Sequence, residues 1–270
     1  MSTFLGWNGL HWMNVLAGLM TLLVMLDAFI GHYRSGFAVK AQYAPFVVGA
    51  LLLSAVVLTV IAPRQTWVLE FLYIAGVLGV IAGIVGVGFH HYYGITTKPG
   101  GYGWLLHHLM YHAPQLAPLA LSAVGLLAMV AARGLMGGDS LFGVRLQSLA
   151  LLLVAVTLLG AALQAAMLHY RGAFNNPLMY APLTTPLLAA VAVPWLIVSR
   201  GHIAMVSASA LFWVTFLVGF VGLGMHLRGF DRMMGGLRLA RMNMLEGPAM
   251  TAPALFTGFA AAGLAALHLL

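Results

Sequence analysis

Apolar runs of about 20 residues recur along this chain with almost no charge inside them, and that feature leaves few folds open. Residues 44–62, "APFVVGALLLSAVVLTVIA", are one such run. Wound as a helix, about 20 apolar residues cross the hydrocarbon core of a bilayer. The runs are continuous rather than alternating, and lipid offers no partner to an open backbone, so helices are the spanning element. Charged residues make up 6% of the 270 and hydrophobic ones 62%. A soluble domain carries roughly 25% charge, and it could not hide so much apolar surface in one core.

The runs predict spans near 10–31, 43–62, 67–90, 114–133, 145–169, 178–198, 202–226 and 249–269. Turn-forming stretches separate them: "APRQ" at 62–65, "GLMGGDSLFG" at 134–143 and "SRGH" at 199–202. The start, "MSTFLGWNGLHWMNVLAGLM", has no basic leader and no clear small-residue cleavage site, so it reads as a retained first span rather than a signal peptide. The expected fold is all-α and polytopic, with eight transmembrane helices.

Eight spans put both termini on one face, side A, and the loops at 32–42, 91–113, 170–177 and 227–248 on the other, side B. Side A carries Arg64, Arg133, Arg145 and Arg200, and the remaining eight of the twelve Lys and Arg residues fall on side B. The positive-inside tendency then places side B in the cytoplasm and both termini outside, in a bacterial inner membrane. The net charge of +7 is spread singly over several loops, which argues for topology and against nucleic-acid binding. With no cysteine, thiolate metal sites, thiolate-held clusters and thioether haem attachment are excluded.

One polar phrase occurs twice. Residues 32–45 read "HYRSGFAVKAQYAP" and residues 169–182 read "HYRGAFNNPLMYAP", 137 positions apart. Two further landmarks recur at nearly the same offset: "VGVGFH" ending at His90 with "VGLGMH" ending at His226, and Pro118 with Pro253. Matched polar marks in register point to an internal duplication, with a first four-helix repeat at 1–135 and a second at 138–270. Four spans per repeat give the two halves parallel topology about an axis along the membrane normal.

Each half brings two histidines to one membrane depth, His32 with His90 and His169 with His226. Facing imidazoles in a helical bundle are what a six-coordinate b-type haem requires. Equally, histidines at helix ends can cap their own orphan carbonyls. Asp27 and Gln164 lie one to two turns further in, and an intramembrane carboxylate is a functional candidate by default. With His32 and Arg34, or with Arg171 in the second half, this group suits a quinone head group, whose carbonyl oxygens need donors and whose reduction needs protons. Gln164 keeps hydrogen bonding but cannot carry a proton.

The stretch at 90–112 holds five histidines. His108 and His112, four apart on one helix face, form the only candidate metal pair; an interfacial helix with Trp104 and Tyr111 at headgroup depth is the alternative. Glycines 79, 83 and 86 make a small-residue stripe that invites close helix packing. Eight of the nine tyrosines fall on side B, as a belt or a docking face. The sequence carries no phosphate loop, no dinucleotide fingerprint in strand context and no paired-carboxylate motif that could hold a di-iron centre.

In architecture alone, two four-helix halves resemble the NrfD/DmsC-like quinol-interacting membrane anchors of respiratory oxidoreductases. That likeness transfers no residue. It implies a non-catalytic or electron-transfer subunit that meets quinone, with b-type haem as a further cofactor, and soluble or membrane redox subunits docked on the His/Tyr/Arg-rich face. The competing expectations are a small-solute or metal transporter with its pathway between the halves, and a purely structural anchor.

Overall fold

A computed structural model describes residues 7–233, 235–247 and 249–269. The opening hexapeptide "MSTFLG", part of the uncleaved-start reading, lies outside the described residues. Ten α-helices follow one another: α1 (Gly9–Arg34), α2 (Ala44–Ile61), α3 (Thr66–His91), α4 (Leu105–Tyr111), α5 (Leu119–Leu135), α6 (Leu146–Arg171), α7 (Ala181–Ser199), α8 (His202–Arg232), α9 (Ala240–Glu246) and α10 (Thr251–Leu267). The one sheet among the described residues is a two-strand hairpin, Ser140–Leu141 with Val144–Arg145, which starts in the expected turn at 134–143 and runs two residues past it to α6.

Six helices, α1, α2, α3, α6, α7 and α8, are long and apolar enough to cross a membrane; α9 and α10, bent by 73° at their junction, make a seventh if taken as one span. The protein is therefore an integral membrane helical protein. The fourth expected span begins at 119 rather than 114 and, at 17 residues, is shorter than those six. Pro114 and Pro118 explain the late start, because proline disfavours helical backbone in the residue before it. The eighth is trimmed at both ends, to 251–267, whereas the seventh runs on to Arg232.

Large side chains on the outer faces stand exposed, including Val47 at 61%, Ile84 at 57%, Val156 at 66% and Val191 at 65%. A water-soluble surface does not sustain such a belt, and hydrocarbon does. Inside, α1, α5, α6 and α10 touch in a closed ring, while α2 and α3 flank one side and α7 and α8 the other. The ring is filled: Met13, Met20, Val124, Val154, Leu158 and Phe259 are almost wholly buried.

Close backbone approach holds the flanks on. A Cβ at Gly79 would come within 3.2 Å of Gly125 Cα, and one at Gly83 within 2.6 Å of the Pro118 carbonyl oxygen. The glycine stripe of α3 is thus a packing face against α5, as its spacing predicts. Between α8 and α10, a Cβ at Gly219 would meet the Pro253 oxygen at 2.7 Å in the same way. Ser122 donates to the Val80 carbonyl (2.9 Å) across the first contact, and Thr257 to that of Phe216 (3.2 Å) across the second.

Candidate functional site

The duplicated phrase folds twice into one turn. After α1 the chain enters left-handed backbone at Gly36 (φ 68°) and Phe37 (φ 50°); after α6 it does so at Ala173 (φ 55°) and Phe174 (φ 47°). In each case the phenylalanine N–H donates back to the histidine carbonyl, Phe37 to His32 at 3.0 Å and Phe174 to His169 at 3.1 Å. The reversed ring then stacks on the tyrosine of "YAP", Phe37 on Tyr43 and Phe174 on Tyr180, with centroids 5.0 and 4.6 Å apart. Proline follows in the first turn of α2 and of α7, where its missing N–H costs no helical bond. The repeated letters are the parts of a helix-reversing turn.

That turn presents a histidine to its neighbour. The His32 and His90 rings lie 6.1 Å apart at 84°, and His169 and His226 lie 6.5 Å apart at 86°. Expected as caps of their own helix ends, His90 and His226 bond elsewhere. Nδ1 of His90 donates to the Pro114 carbonyl (2.8 Å) and that of His226 to Ala249 (2.7 Å), in the segments leading into α5 and α10. Because a carbonyl can only accept, each of these rings carries a proton on Nδ1, and in the neutral ring the lone pair is therefore on Nε2.

Asp27 lies beside this first pair, partly buried where α1 meets α10. Its Oδ1 accepts the hydroxyl of Thr251, at the start of α10, and His90 is within electrostatic reach of it. Arg34, expected beside Asp27, instead reaches Glu246 of α9 at 3.4 Å, because the last turn of α1 faces the interfacial helix and not the span. In the second half Gln164 occupies the position matching Asp27. Arg171 lies over the Tyr111 ring of α4, 5.0 Å from its centroid. Each of these arginines clasps the short helix of the opposite half, one by an ion pair and one by a cation–π contact.

The histidine-rich stretch forms a short helix, α4, with Trp104 at 63% and Tyr111 at 52% exposure. His107, His108 and His112 gather with ring centroids 5.0 to 5.9 Å apart. Yet among the described residues no group of three or more His, Asp or Glu is arranged to hold a metal ion. His108 is buried with both ring nitrogens unpartnered. Asn243, the matching residue on α9, uses its amide to tie the Phe230 (3.3 Å) and Gly236 (2.9 Å) carbonyls together. Partial desolvation first, then Lys98, His108 and His107, hold the His112 imidazole below its ordinary pKa.

Three participants were not singled out in the sequence: Thr251, the Pro114 carbonyl and the Ala249 carbonyl. The carbonyls have no side-chain signature. Thr251 had one, since it is a hydroxyl at the mouth of an apolar run where the first half has Leu116. Compared with protein-family models, curated proteins and solved structures, the chain matches none.

Proposed function

We propose that this protein is the membrane anchor subunit of a multi-subunit redox complex and receives a quinone head group beside Asp27, His32 and His90. The observation that carries the reading is the cluster where α1 meets α10: a carboxylate held by Thr251, five residues before His32 on α1 and in electrostatic reach of His90, whose ring faces that of His32. Reducing a quinone takes two electrons and two protons and yields the quinol, one proton going to each carbonyl oxygen. The electrons come from a redox subunit docked on side B. Asp27 and the imidazoles supply hydrogen bonds to the quinone oxygens and relay protons from the side-B surface. Gln164, Leu116, His169 and His226 make the matching place in the second half, which lacks both the acid and the hydroxyl.

The eight spans fall in two parallel repeats, 1–135 and 138–270, with α5 and the bent α9–α10 pair as the short members. Support comes from contacts that occur twice: the left-handed turn, the right-angled histidine pair, the Nδ1 bond to a carbonyl, and the glycine–proline approach. On this reading both termini lie outside the cytoplasm. The filled ring of α1, α5, α6 and α10 favours an anchor over a solute pathway between the halves.

Haem b has its own supporting observation. Each pair brings two imidazoles together, with centroids 6.1 and 6.5 Å apart, and neutral imidazole nitrogens are haem-iron ligands. The Nδ1-bonded tautomer of His90 and His226 also leaves Nε2 free to ligate. His32 with His90, or His169 with His226, would hold it, and it would supply one-electron transfer.

Quinone binding by the purified protein in nanodiscs, read by quenching of tryptophan fluorescence with a short-chain quinone, tests the main reading. Saturable binding is expected, weakened at least tenfold by Asp27→Asn and by His90→Ala and unchanged by Gln164→Leu. Unsaturable partitioning that is equal in every variant refutes it. The haem reading fails if the purified protein shows no Soret band.

A further inference from the structure

The four side-A arginines fall two by two into two clefts at the end of the molecule opposite the histidine pairs. Arg64, in the α2–α3 turn, and Arg133, near the end of α5, line the first, an open cleft of about 580 Å³. Arg145, at the start of α6, and Arg200, after α7, line the second, of about 80 Å³. Both clefts add apolar lining to the arginines: Leu69, Leu135 and Met136 in the first, Leu151, Leu196 and Ile197 in the second.

No carboxylate among the described residues neutralises these cations. The one ion pair there joins Arg34 to Glu246, at the other end of the molecule. The acids on this side are Glu70, exposed on α3, and Asp139, which accepts the Ser140 hydroxyl at 2.9 Å. Arg133, which lines the first cleft, spends its Nε on the Ser140 carbonyl (3.3 Å), which leaves the terminal nitrogens of its guanidinium without a hydrogen-bond partner among the described residues. Outside the clefts stand side chains that belong in hydrocarbon or at its edge: Ile61 at 73%, Trp67 at 58%, Val198 at 85% and Ile203 at 72% exposed. Each pair of guanidinium groups therefore sits at the rim of the apolar belt. Phospholipid phosphates lie at that level, with acyl chains running down the adjoining surface.

We infer that these clefts bind the phosphate of an acidic phospholipid, with the headgroup between the paired arginines and a chain against the apolar lining. Guanidinium forks match phosphate oxygens two at a time, and basic pockets between membrane helices hold acidic headgroups. The first cleft has room for a headgroup and the second for little beyond the phosphate, so the first binds more tightly. A soluble phosphate ester shares the anionic chemistry but has no use for the apolar lining. The inference does not depend on the redox reading.

The test is native mass spectrometry of protein extracted from phosphatidylcholine nanodiscs doped with phosphatidylglycerol. Retained phosphatidylglycerol is expected, falling at least tenfold in Arg64→Gln/Arg133→Gln and only severalfold in Arg145→Gln/Arg200→Gln. Arg64→Lys/Arg133→Lys, which keeps the charge but loses the guanidinium fork, should retain an amount between the parent and the Gln variant and reports on folding. Arg238→Gln/Arg241→Gln, at the other end, should bind as the parent does. Three results overturn the inference: equal retention in all variants, equal loss in the Arg238/Arg241 variant, and displacement of the lipid by inorganic phosphate, which would assign the clefts to a soluble anion.

Discussion

Replacing Gly83 with alanine is the sharpest test of how the helices are held. The new Cβ would stand 2.6 Å from the Pro118 carbonyl oxygen and 2.7 Å from the Ser122 amide nitrogen, both backbone atoms of α5 or its entrance. Neither can swing aside as a side chain would, so α5 must move away from α3. Overpacking of this kind costs typically about 1–3 kcal/mol. The shift also strains the Ser122 bond to the Val80 carbonyl, and an interhelical hydrogen bond in a membrane protein averages about 0.6 kcal/mol. Alanine's better helix propensity returns up to about 1 kcal/mol. The net expectation is a destabilisation of about 1–3 kcal/mol. Gly219→Ala should behave alike, since its Cβ would meet the Pro253 oxygen at 2.7 Å and the Thr257 nitrogen at 2.8 Å. A methyl added at Gly88 or Gly224 would meet nothing within 4 Å, so alanine there should be neutral or mildly stabilising. Equilibrium unfolding in mixed micelles titrated with dodecyl sulfate measures all four. If Gly83→Ala and Gly219→Ala unfold with the parent, or Gly88→Ala is equally damaging, the packing argument is wrong.

Three further outcomes are expected. Thr251→Val strips the hydroxyl from Asp27 and should cost about 1–3 kcal/mol, the usual penalty for orphaning a buried acceptor; Asp27→Asn should restore part of it in the same unfolding assay, and additive losses would contradict the pairing. A double-mutant cycle on Arg34 and Glu246, both half-exposed or more, should give a coupling of at most about 1 kcal/mol that salt erodes; the cycle on Arg171 and Tyr111 should give about 0.5–1 kcal/mol and resist salt better. His112, outside the spans, should titrate below its ordinary 6.5, and Lys98→Gln should move it upward in an NMR titration. Because the folded state resists that proton, stability should fall as pH drops below 6.5 toward the folded value and then level off.

Membrane character and helical class were legible because they follow from run length and missing charge, which hardly depend on tertiary context. The His–Tyr–Arg and Tyr–Ala–Pro marks were legible as landmarks, but their role was not, since a left-handed phenylalanine stacked on a tyrosine leaves no mark in composition. Helix ends were less readable. Apolar content continues through 114–118, and only proline geometry stops α5 from starting there. Partner choice was the least legible: Arg34 and Asp27 lie seven residues apart on α1, and that two-turn separation sends one to α9 and the other to α10. Sequence spacing places a residue on a helix, whereas the neighbouring helix decides what it meets.

The matched positions divide into two groups, and the division bears on function. Gly83 and Gly219, Pro118 and Pro253, His90 and His226, and Phe37 and Phe174 make the same contact in both halves; they build the scaffold, which must close twice. Asp27 against Gln164, Thr251 against Leu116, Glu246 against Tyr111, and Asn243 against His108 differ in chemistry. All four differing pairs lie toward side B, and three of them sit where one half touches the other. On the proposed duplication, a fold needs its two copies to agree, but a site that binds one ligand at one place does not. An acid–hydroxyl pair that crosses this junction, with Gln164 and Leu116 at the matching positions, is why the proposed quinone site is placed beside residue 27 and against α10. Exchanging the two sets tests the logic directly. A chain carrying Asp27→Gln, Thr251→Leu, Gln164→Asp and Leu116→Thr should move quinone binding to the second half, where His226→Ala, and no longer His90→Ala, abolishes it. Binding that stays sensitive to His90 after the exchange would show that the acid does not choose the site.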